Sequence, residues 1–321
     1  MKRQILIPLD GSSRAEAAIP HALQLAQASA SDLHLVRVVT TATVAPSLAW
    51  PMPAAINLEQ WIAADREAAK NYLTTLAQQV QTSAIAVHTT LLEGDPATSI
   101  VAFAQETPTI CEIAMATHGR SGVSRWVFGS VAEKVLHATP VPLLLVRVND
   151  SLATELDPPK YPLLHDVAYR TIVVPLDGSD FGEQALATAR VLADHYQAEL
   201  VLASVVPYLD DIGLGESGVV PLWTITDQQT VRDHAAAYLK EVATRLAEGG
   251  LRVRTRWVDG PPAEMITTIA QEENADLIVM STHGRSGFSR LWLGSVATKI
   301  IRHTSLPVLL IRAQQELATG R

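Results

Sequence analysis

The run His118-Gly119-Arg120-Ser121-Gly122, followed by Gly129-Ser130, recurs as His283-Gly284-Arg285-Ser286-Gly287, followed by Gly294-Ser295. Glycine tolerates positive φ and lets backbone amides approach an anion with no Cβ in the way. A serine opening a helix adds a hydroxyl to free first-turn amides at the positive end of the helix dipole. The chemistry on offer is phosphate binding, present twice. Arg120, Arg125 and Lys134, and Arg285, Arg290 and Lys299 in the second copy, supply balancing charge.

A second segment is repeated as well. Ile5-Leu6-Ile7-Pro8-Leu9-Asp10-Gly11-Ser12 and Ile172-Val173-Val174-Pro175-Leu176-Asp177-Gly178-Ser179 each read as an aliphatic strand ending in an acidic turn. Asp10 and Asp177 repel phosphate. Beside a nucleotide their carboxylates take ribose hydroxyls or a magnesium ion; the other use of such an aspartate is to hold the turn by a side-chain to backbone bond. His118 and His283 have no evident nucleophile beside them and are expected to shape the loop, so no residue is assigned a catalytic role.

Other chemistries are excluded by their spacing. Neither loop has the lysine of a P-loop, and G-x-G-x-x-G is absent after the first strand. One cysteine and no close histidine pair give no structural zinc site, and no serine sits in a G-x-S-x-G elbow. Cys111 is expected to be a buried small apolar residue. His21, His34 and His88 are scattered and read as ordinary helix or strand residues.

The elements that position these groups repeat in the same order. After each opening strand, Ser12 or Ser13, and Ser179 or Asp180, are N-cap candidates for helices predicted over Arg14–Ala30 and Gly182–Tyr196. Strands follow at Leu33–Val39 and Glu199–Val206. Proline- and glycine-rich excursions at Pro46–Pro53 and Pro207–Pro221 are long enough to be lids or plain surface crossovers. Helices are then predicted over Glu59–Val80 and Asp227–Glu248, with third strands at Ile85–Leu92 and Val253–Val258. Helices Ala97–Gln105 and Ala263–Glu272 lead to fourth strands at Ile113–Ala116 and Leu277–Met280. The glycine loops come next, then helices Val131–His137 and Val296–His303, and last strands Leu143–Val146 and Val308–Ile311.

Strands alternating with helices imply parallel strands joined by right-handed crossovers. The fold class is therefore α/β: two tandem doubly wound domains, each with a mainly parallel sheet of about five strands flanked by helices. The expected boundaries are 1–148 for the first domain, 149–169 for a linker stiffened at Asp157-Pro158-Pro159, 170–313 for the second domain and 314–321 for a tail. In such a sheet ligands settle at the carboxyl edge where strand order reverses. The Asp10 turn and the Gly119 loop should therefore face each other, as should their copies.

Bulk properties narrow the partners. The 321 residues are 48% hydrophobic and 18% charged, with a formal net charge of −8. That balance lacks the electrostatic footprint of a nucleic-acid binder, and the low aromatic content offers no base-stacking surface. No apolar run approaches the ~18 residues of a membrane span. The apolar run before Pro8 is too short for a signal peptide, so the expected location is the cytoplasm, with no membrane partner.

These motifs, Pro-Leu-Asp-Gly-Ser early and Thr-His-Gly-Arg-Ser-Gly with Gly-Ser late, occurring in order and twice, resemble the universal stress protein family over about Lys2–Arg147 and Arg170–Arg312. The resemblance implies an adenine nucleotide alpha hydrolase-like fold and a tandem chain whose domains pair through their last strands as an intramolecular pseudo-dimer. Association of two such chains is left open. The nucleotide-binding branch of the family uses Gly, two residues, Gly, nine residues, then Gly with Ser or Thr. Gly119 and Gly129-Ser130 match, as do Gly284 and Gly294-Ser295, whereas Ala116 and Ser281 replace the first glycine. By this resemblance the nucleotide pocket of the first domain comprises Pro8, Leu9, Asp10, Val38, Ala116, His118, Gly119, Arg120, Gly122, Arg125, Gly129, Ser130 and Val131. That of the second comprises Pro175, Leu176, Asp177, Val205, Ser281, His283, Gly284, Arg285, Gly287, Arg290, Gly294, Ser295 and Val296. Val38 and Val205 would meet the adenine through backbone groups.

Glu112, entering a buried strand, is expected to weaken or reshape the first pocket and leave the second more regular. The leading expectation is an ATP- or ADP-binding regulator of the stress response with an unidentified protein partner. A slow ATPase with magnesium near Asp10 or Asp177, and a nucleotide-free interaction scaffold, are the alternatives.

Overall fold

The computed structural model describes residues 2–40, 58–117, 129–148, 167–208, 228–282 and 293–312. The chain divides into two compact units, Met1–Val167 and Ala168–Arg321. In the first, the order is β1 (Gln4–Leu9), α1 (Ser13–Glu16), α2 (Ala18–Ala28), β2 (Asp32–Val39), α3 (Leu58–Val80), β3 (Val87–Glu93), α4 (Pro96–Glu106), β4 (Ile110–Ala116), α5 (Ser130–Ala138) and β5 (Leu143–Val146). In the second it is β6 (Thr171–Pro175), α6 (Asp180–Tyr196), β7 (Glu199–Val206), α7 (Gln228–Ala247), β8 (Arg252–Asp259), α8 (Pro262–Glu272), β9 (Leu277–Ser281), α9 (Ser295–His303) and β10 (Val308–Ile311).

Strand order is β3-β2-β1-β4-β5 in the first unit and β8-β7-β6-β9-β10 in the second. The pairings are parallel in both units. The reversal lies between β1 and β4, and between β6 and β9. The inner strands are aliphatic without alternation: Ile5, Leu6 and Ile7, like Ile172, Val173 and Val174, are fully buried because helices cover both faces. The outer strands β3 and β8 have no buried residue and carry more polar side chains than the inner ones. Arg254 and Arg256 of β8 are tied to Glu199, Glu272 and Glu273, and such charge discourages edge-to-edge pairing.

The crevice at each reversal has a cause in the sequence. The strand β6 pairs with β7 as far as Pro175, but with β9 only through Ile172 and Val173. The Leu176 amide donates to Ala203 O across 2.8 Å, toward β7. Backbone groups alternate sides along a strand, so position 175 faces β9, and proline has no amide to offer there. The first unit repeats the pattern: β1 pairs with β2 through Leu9, while its pairing with β4 ends at Leu6 and Ile113. The prolines release the strands, and the sheet opens toward its carboxyl edge.

Four expectations need correction. The helix expected over Arg14–Ala30 is broken at Ala17 into α1 and α2, because Pro20 cannot donate an amide to the carbonyl four residues back. Its counterpart α6, with no proline, is continuous. Cys111 is only partly buried, with Sγ 3.4 Å from Gln4 O. His34 and His88 are not scattered: they are cross-strand neighbours on β2 and β3, with ring centroids 5.9 Å apart. Tyr169, which fell within the expected linker, is buried with its ring edge-on to Tyr196 in the second unit.

Candidate functional site

The two aspartate turns have the same construction. Asp10 Oδ1 accepts from the Ser12 amide at 2.9 Å and the Ser12 hydroxyl at 2.6 Å. Asp177 Oδ1 accepts from the Ser179 amide at 3.1 Å and hydroxyl at 2.6 Å. Gly11 and Gly178, with φ of 83° and 79°, make the turns possible. Ser12 and Ser179 then cap the following helices through the amides of Ala15 and Gly182. Turn-holding is thus a role these aspartates do play, and it fixes their carboxylates at the mouth of the crevice.

Across the crevice, the ends of each glycine loop are clasped. The Gly129 amide donates to Thr117 O at 3.0 Å and the Gly294 amide to Thr282 O at 2.9 Å. Gly294 is tight for a side chain: a Cβ there would sit 3.1 Å from Thr282 O, so the backbone would have to give by a few tenths of an ångström. The helices α5 and α9 begin immediately afterwards, capped by Gly129 and Gly294 with no side-chain hydrogen bond at the cap. First-turn amides left without a cap side chain suit an anion. His118, Gly119, Arg120, Gly122 and Arg125, with His283, Gly284, Arg285, Gly287 and Arg290, lie outside the described residues.

In the second unit these parts enclose a cavity of about 800 Å³, within the range of small-molecule sites. Every described member of the expected second pocket lines it: Pro175, Leu176, Asp177 and Val205 from one wall, Ser281, Gly294, Ser295 and Val296 from the other. The cavity also takes in Gly182, Ser204, His234, Tyr238 and Thr282, which the motif reading missed. Gly182 is there for space, since a Cβ would lie 2.7 Å from Asp177 Oδ1. Tyr238 donates its hydroxyl to Glu183 at 3.0 Å, and burial followed by the Glu183 charge pushes its phenol up, so it stays protonated. Tyr72 repeats the arrangement, donating to Glu16 at 2.8 Å. That matched Tyr–Glu pair was available to a comparison of the two halves outside the glycine motifs.

The first-unit residues occupy corresponding places. Pro8 and Leu9 end β1, Asp10 follows them, Val38 lies near the end of β2, and Ala116 closes β4. Gly129, Ser130 and Val131 form the start of α5. Glu112 departs from expectation. It lies beside Ile5 near the opening of β4, at the far end of the strand from the crevice, so its cost falls on the core. Its Oε1 is buried without a hydrogen-bond partner, and burial raises its carboxyl to about 8 despite the nearby Arg3.

A profile of the universal stress protein family matches residues 1–147 and 168–312. The chain belongs to the universal stress protein family. Universal stress protein MJ0531 of Methanocaldococcus jannaschii is 34% identical over 144 residues, covering 45% of this chain and 82% of its own. A universal stress protein of Mycolicibacterium smegmatis is 23% identical over 313 residues, 96% of each chain. A crystal structure of a universal stress protein from Archaeoglobus fulgidus superposes with a TM-score of 0.67 at 20% identity, covering 97% of this chain and 98% of that one. The single-length relative thus spans one universal stress protein unit, and the double-length ones span both. Among the described residues no group of three or more His, Cys, Asp or Glu is placed to hold a metal ion. No described helix is long and apolar enough to cross a membrane.

Proposed function

We propose that this universal stress protein binds an adenine nucleotide, ATP or ADP, at the carboxyl edge of its sheet and acts as a nucleotide-dependent regulator in the stress response. The observation that carries the reading is the cavity of about 800 Å³ in the second unit. It brings an acidic turn, an uncapped helix start and a glycine pressed against backbone to one crevice. Asp177 suits the ribose hydroxyls, the Val205 backbone suits the adenine edge, and the amides beginning at Ser295 suit the phosphates. Were magnesium to accompany the nucleotide, Asp177 would be the protein's ligand, with phosphate oxygens and water completing the shell.

We favour regulation over turnover; release of phosphate from ATP, for which His234 on the cavity wall is the candidate base, is the measurement that would overturn this choice. Nucleotide would then act by favouring one conformation or partner-binding state, in proportion to its difference in affinity for the two. The expected partner is a protein.

The test is acid extraction of freshly purified protein with analysis for adenine nucleotides, followed by binding of ATP with magnesium to stripped protein. Gly294→Val should lower second-unit affinity more than tenfold by crowding Thr282. Ser295→Glu, which keeps a helix-compatible acidic residue at the first turn, should do the same by repelling phosphate while the melting temperature is held. Unchanged binding in both variants would refute the placement, and no adenylate bound at millimolar concentration would refute the reading.

A further inference from the structure

The two crevices differ most, in side-chain size and charge, at one position on their floors. Leu9 of β1 is in register with Arg37 of β2. In the second unit Pro175 is in register with Ala203, which sets Leu176 against Ser204. Ser204 is buried and lines the cavity. A full guanidinium side chain therefore stands where the second unit contributes a single hydroxyl.

Its direction is fixed by Tyr72. The Arg37 guanidinium carbon lies 5.4 Å from the centre of the Tyr72 ring, a cation–π distance. Tyr72 is the counterpart of the cavity-lining Tyr238, since each donates its hydroxyl to the matching glutamate, Glu16 or Glu183. In the second unit the cation on that glutamate is Arg245, on the exposed side of α7. In the first unit the cation nearest the tyrosine comes from the strand floor. The cation beside the Tyr–Glu pair thus comes from the long helix in the second unit and from the strand floor in the first.

A second difference bears on the phosphate end. Glu133 sits in the first turn of α5, where α9 carries Thr298. A carboxylate there already uses the positive end of the helix dipole and opposes a phosphate.

We infer that Arg37 closes the first crevice to the adenylate and so sets the chain's stoichiometry at one nucleotide, held by the second unit. The inference rests on the nucleotide-binding reading above and adds the residue that distinguishes the two sites. Arg37 acts by occupancy: its side chain lies against Tyr72, across the space that Ser204 and Tyr238 leave open in the other copy.

The test is equilibrium dialysis of stripped full-length protein against radiolabelled ATP with magnesium, reading nucleotides bound per chain. Wild type should bind one, Arg37→Ser two, Ser295→Glu none, and the double variant one. Arg37→Gln, shorter and neutral, should also open the first site, and it guards against a folding defect in Arg37→Ser, with melting curves as the control. Two nucleotides on wild type would overturn the inference while leaving the nucleotide reading intact. One nucleotide on both Arg37 variants would do the same. No nucleotide on wild type or on any variant would instead sink the reading of the site, and the inference with it.

Discussion

The two units share strand order, proline placement, aspartate turns and a Tyr–Glu pair, yet diverge in what fills the space between these parts. In the second unit the crevice floor is Ser204 and the core positions on β7 and β9 are Val201 and Leu277. In the first, the matching residues are Arg37, His34 and Glu112. All three changes put an ionisable group where the copy has a small or aliphatic one. The frame that makes a crevice is thus separable from the residues that decide what enters it. One duplicated fold can carry an open site and a plugged one while both units keep their sheets.

The largest expected effect comes from exporting the plug. Ser204→Arg should place a guanidinium within reach of Tyr238 and lower second-unit nucleotide affinity by tenfold or more, measured by calorimetric titration. An unchanged affinity would mean that a side chain at this position does not reach the nucleotide. The next effect concerns stability. Glu112→Leu, which installs the residue of the second unit, removes a buried oxygen without a partner and should stabilise the first unit by about 1–3 kcal/mol. Burial holds the Glu112 carboxyl at about 8, above its ordinary value, so the folded unit keeps a proton that the unfolded chain gives up. That contribution is complete below the unfolded value and is lost as pH rises through about 8. Denaturant melts at pH 6 and pH 9 should show a slope in wild type that Glu112→Leu flattens.

Most of the frame was legible in the sequence because it rests on local signals. The β-branched and aliphatic runs, the prolines at 8 and 175 and the Gly-Ser pairs each dictate backbone behaviour near themselves, and the strands and helices fall within a few residues of expectation. The misses are non-local. The break at Ala17 depends on Pro20 interrupting a helix whose amphipathic pattern continues unbroken. The meeting of His34 and His88 depends on the register of β2 with β3, which spacing along the chain does not reveal. At the site, glycines and aspartates announced themselves, but Tyr238, His234 and Ser204 look like ordinary helix and strand residues until the fold brings them to one cavity. Arg37 lies inside the strand predicted over Leu33–Val39, and only its position over Tyr72 gives it meaning.

A smaller pH effect sharpens the contrast from the acid side. His34 is buried between Gln4 Oε1, 3.0 Å from Nδ1, and Thr90 Oγ1, 2.8 Å from Nε2. Gln4 Oε1 can only accept, so Nδ1 carries the proton of the neutral ring, and the Thr90 hydroxyl can donate to Nε2. Burial first, then the charge of His88, lowers the His34 value to about 4. The folded unit thus excludes a proton that the unfolded chain binds near 6.5. Its contribution is present above that value and lost as pH falls toward about 4. Hydrogen exchange read strand by strand in the full chain should show β2 losing protection between pH 6.5 and pH 4 while β7, with Val201 at the matching place, holds steady. Equal losses in both strands would assign the acid sensitivity elsewhere.

The smallest effect should come from a feature the units hold in common. Arg66 meets Glu93 at 2.8 Å and Arg232 meets Asp259 at 2.8 Å, each tying the long helix to the end of the third strand. The first pair is exposed on both sides, with 42% and 49% of the side chains open to solvent, against 31% and 21% for the second. Exposed ion pairs contribute about 0–1 kcal/mol and weaken with salt. Arg232→Ala should therefore cost more than Arg66→Ala, with both losses under about 1 kcal/mol and the first-unit loss vanishing in high salt. The second pair is also bidentate, through Nε and Nη2 of Arg232, whereas Arg66 meets Glu93 through Nη2 with its Nε unpartnered, so geometry and exposure point the same way. If Arg66→Ala proved the more damaging change, solvent exposure would not be what separates the two pairs, and the hydrocarbon stem of Arg66 would be the part of the side chain that matters.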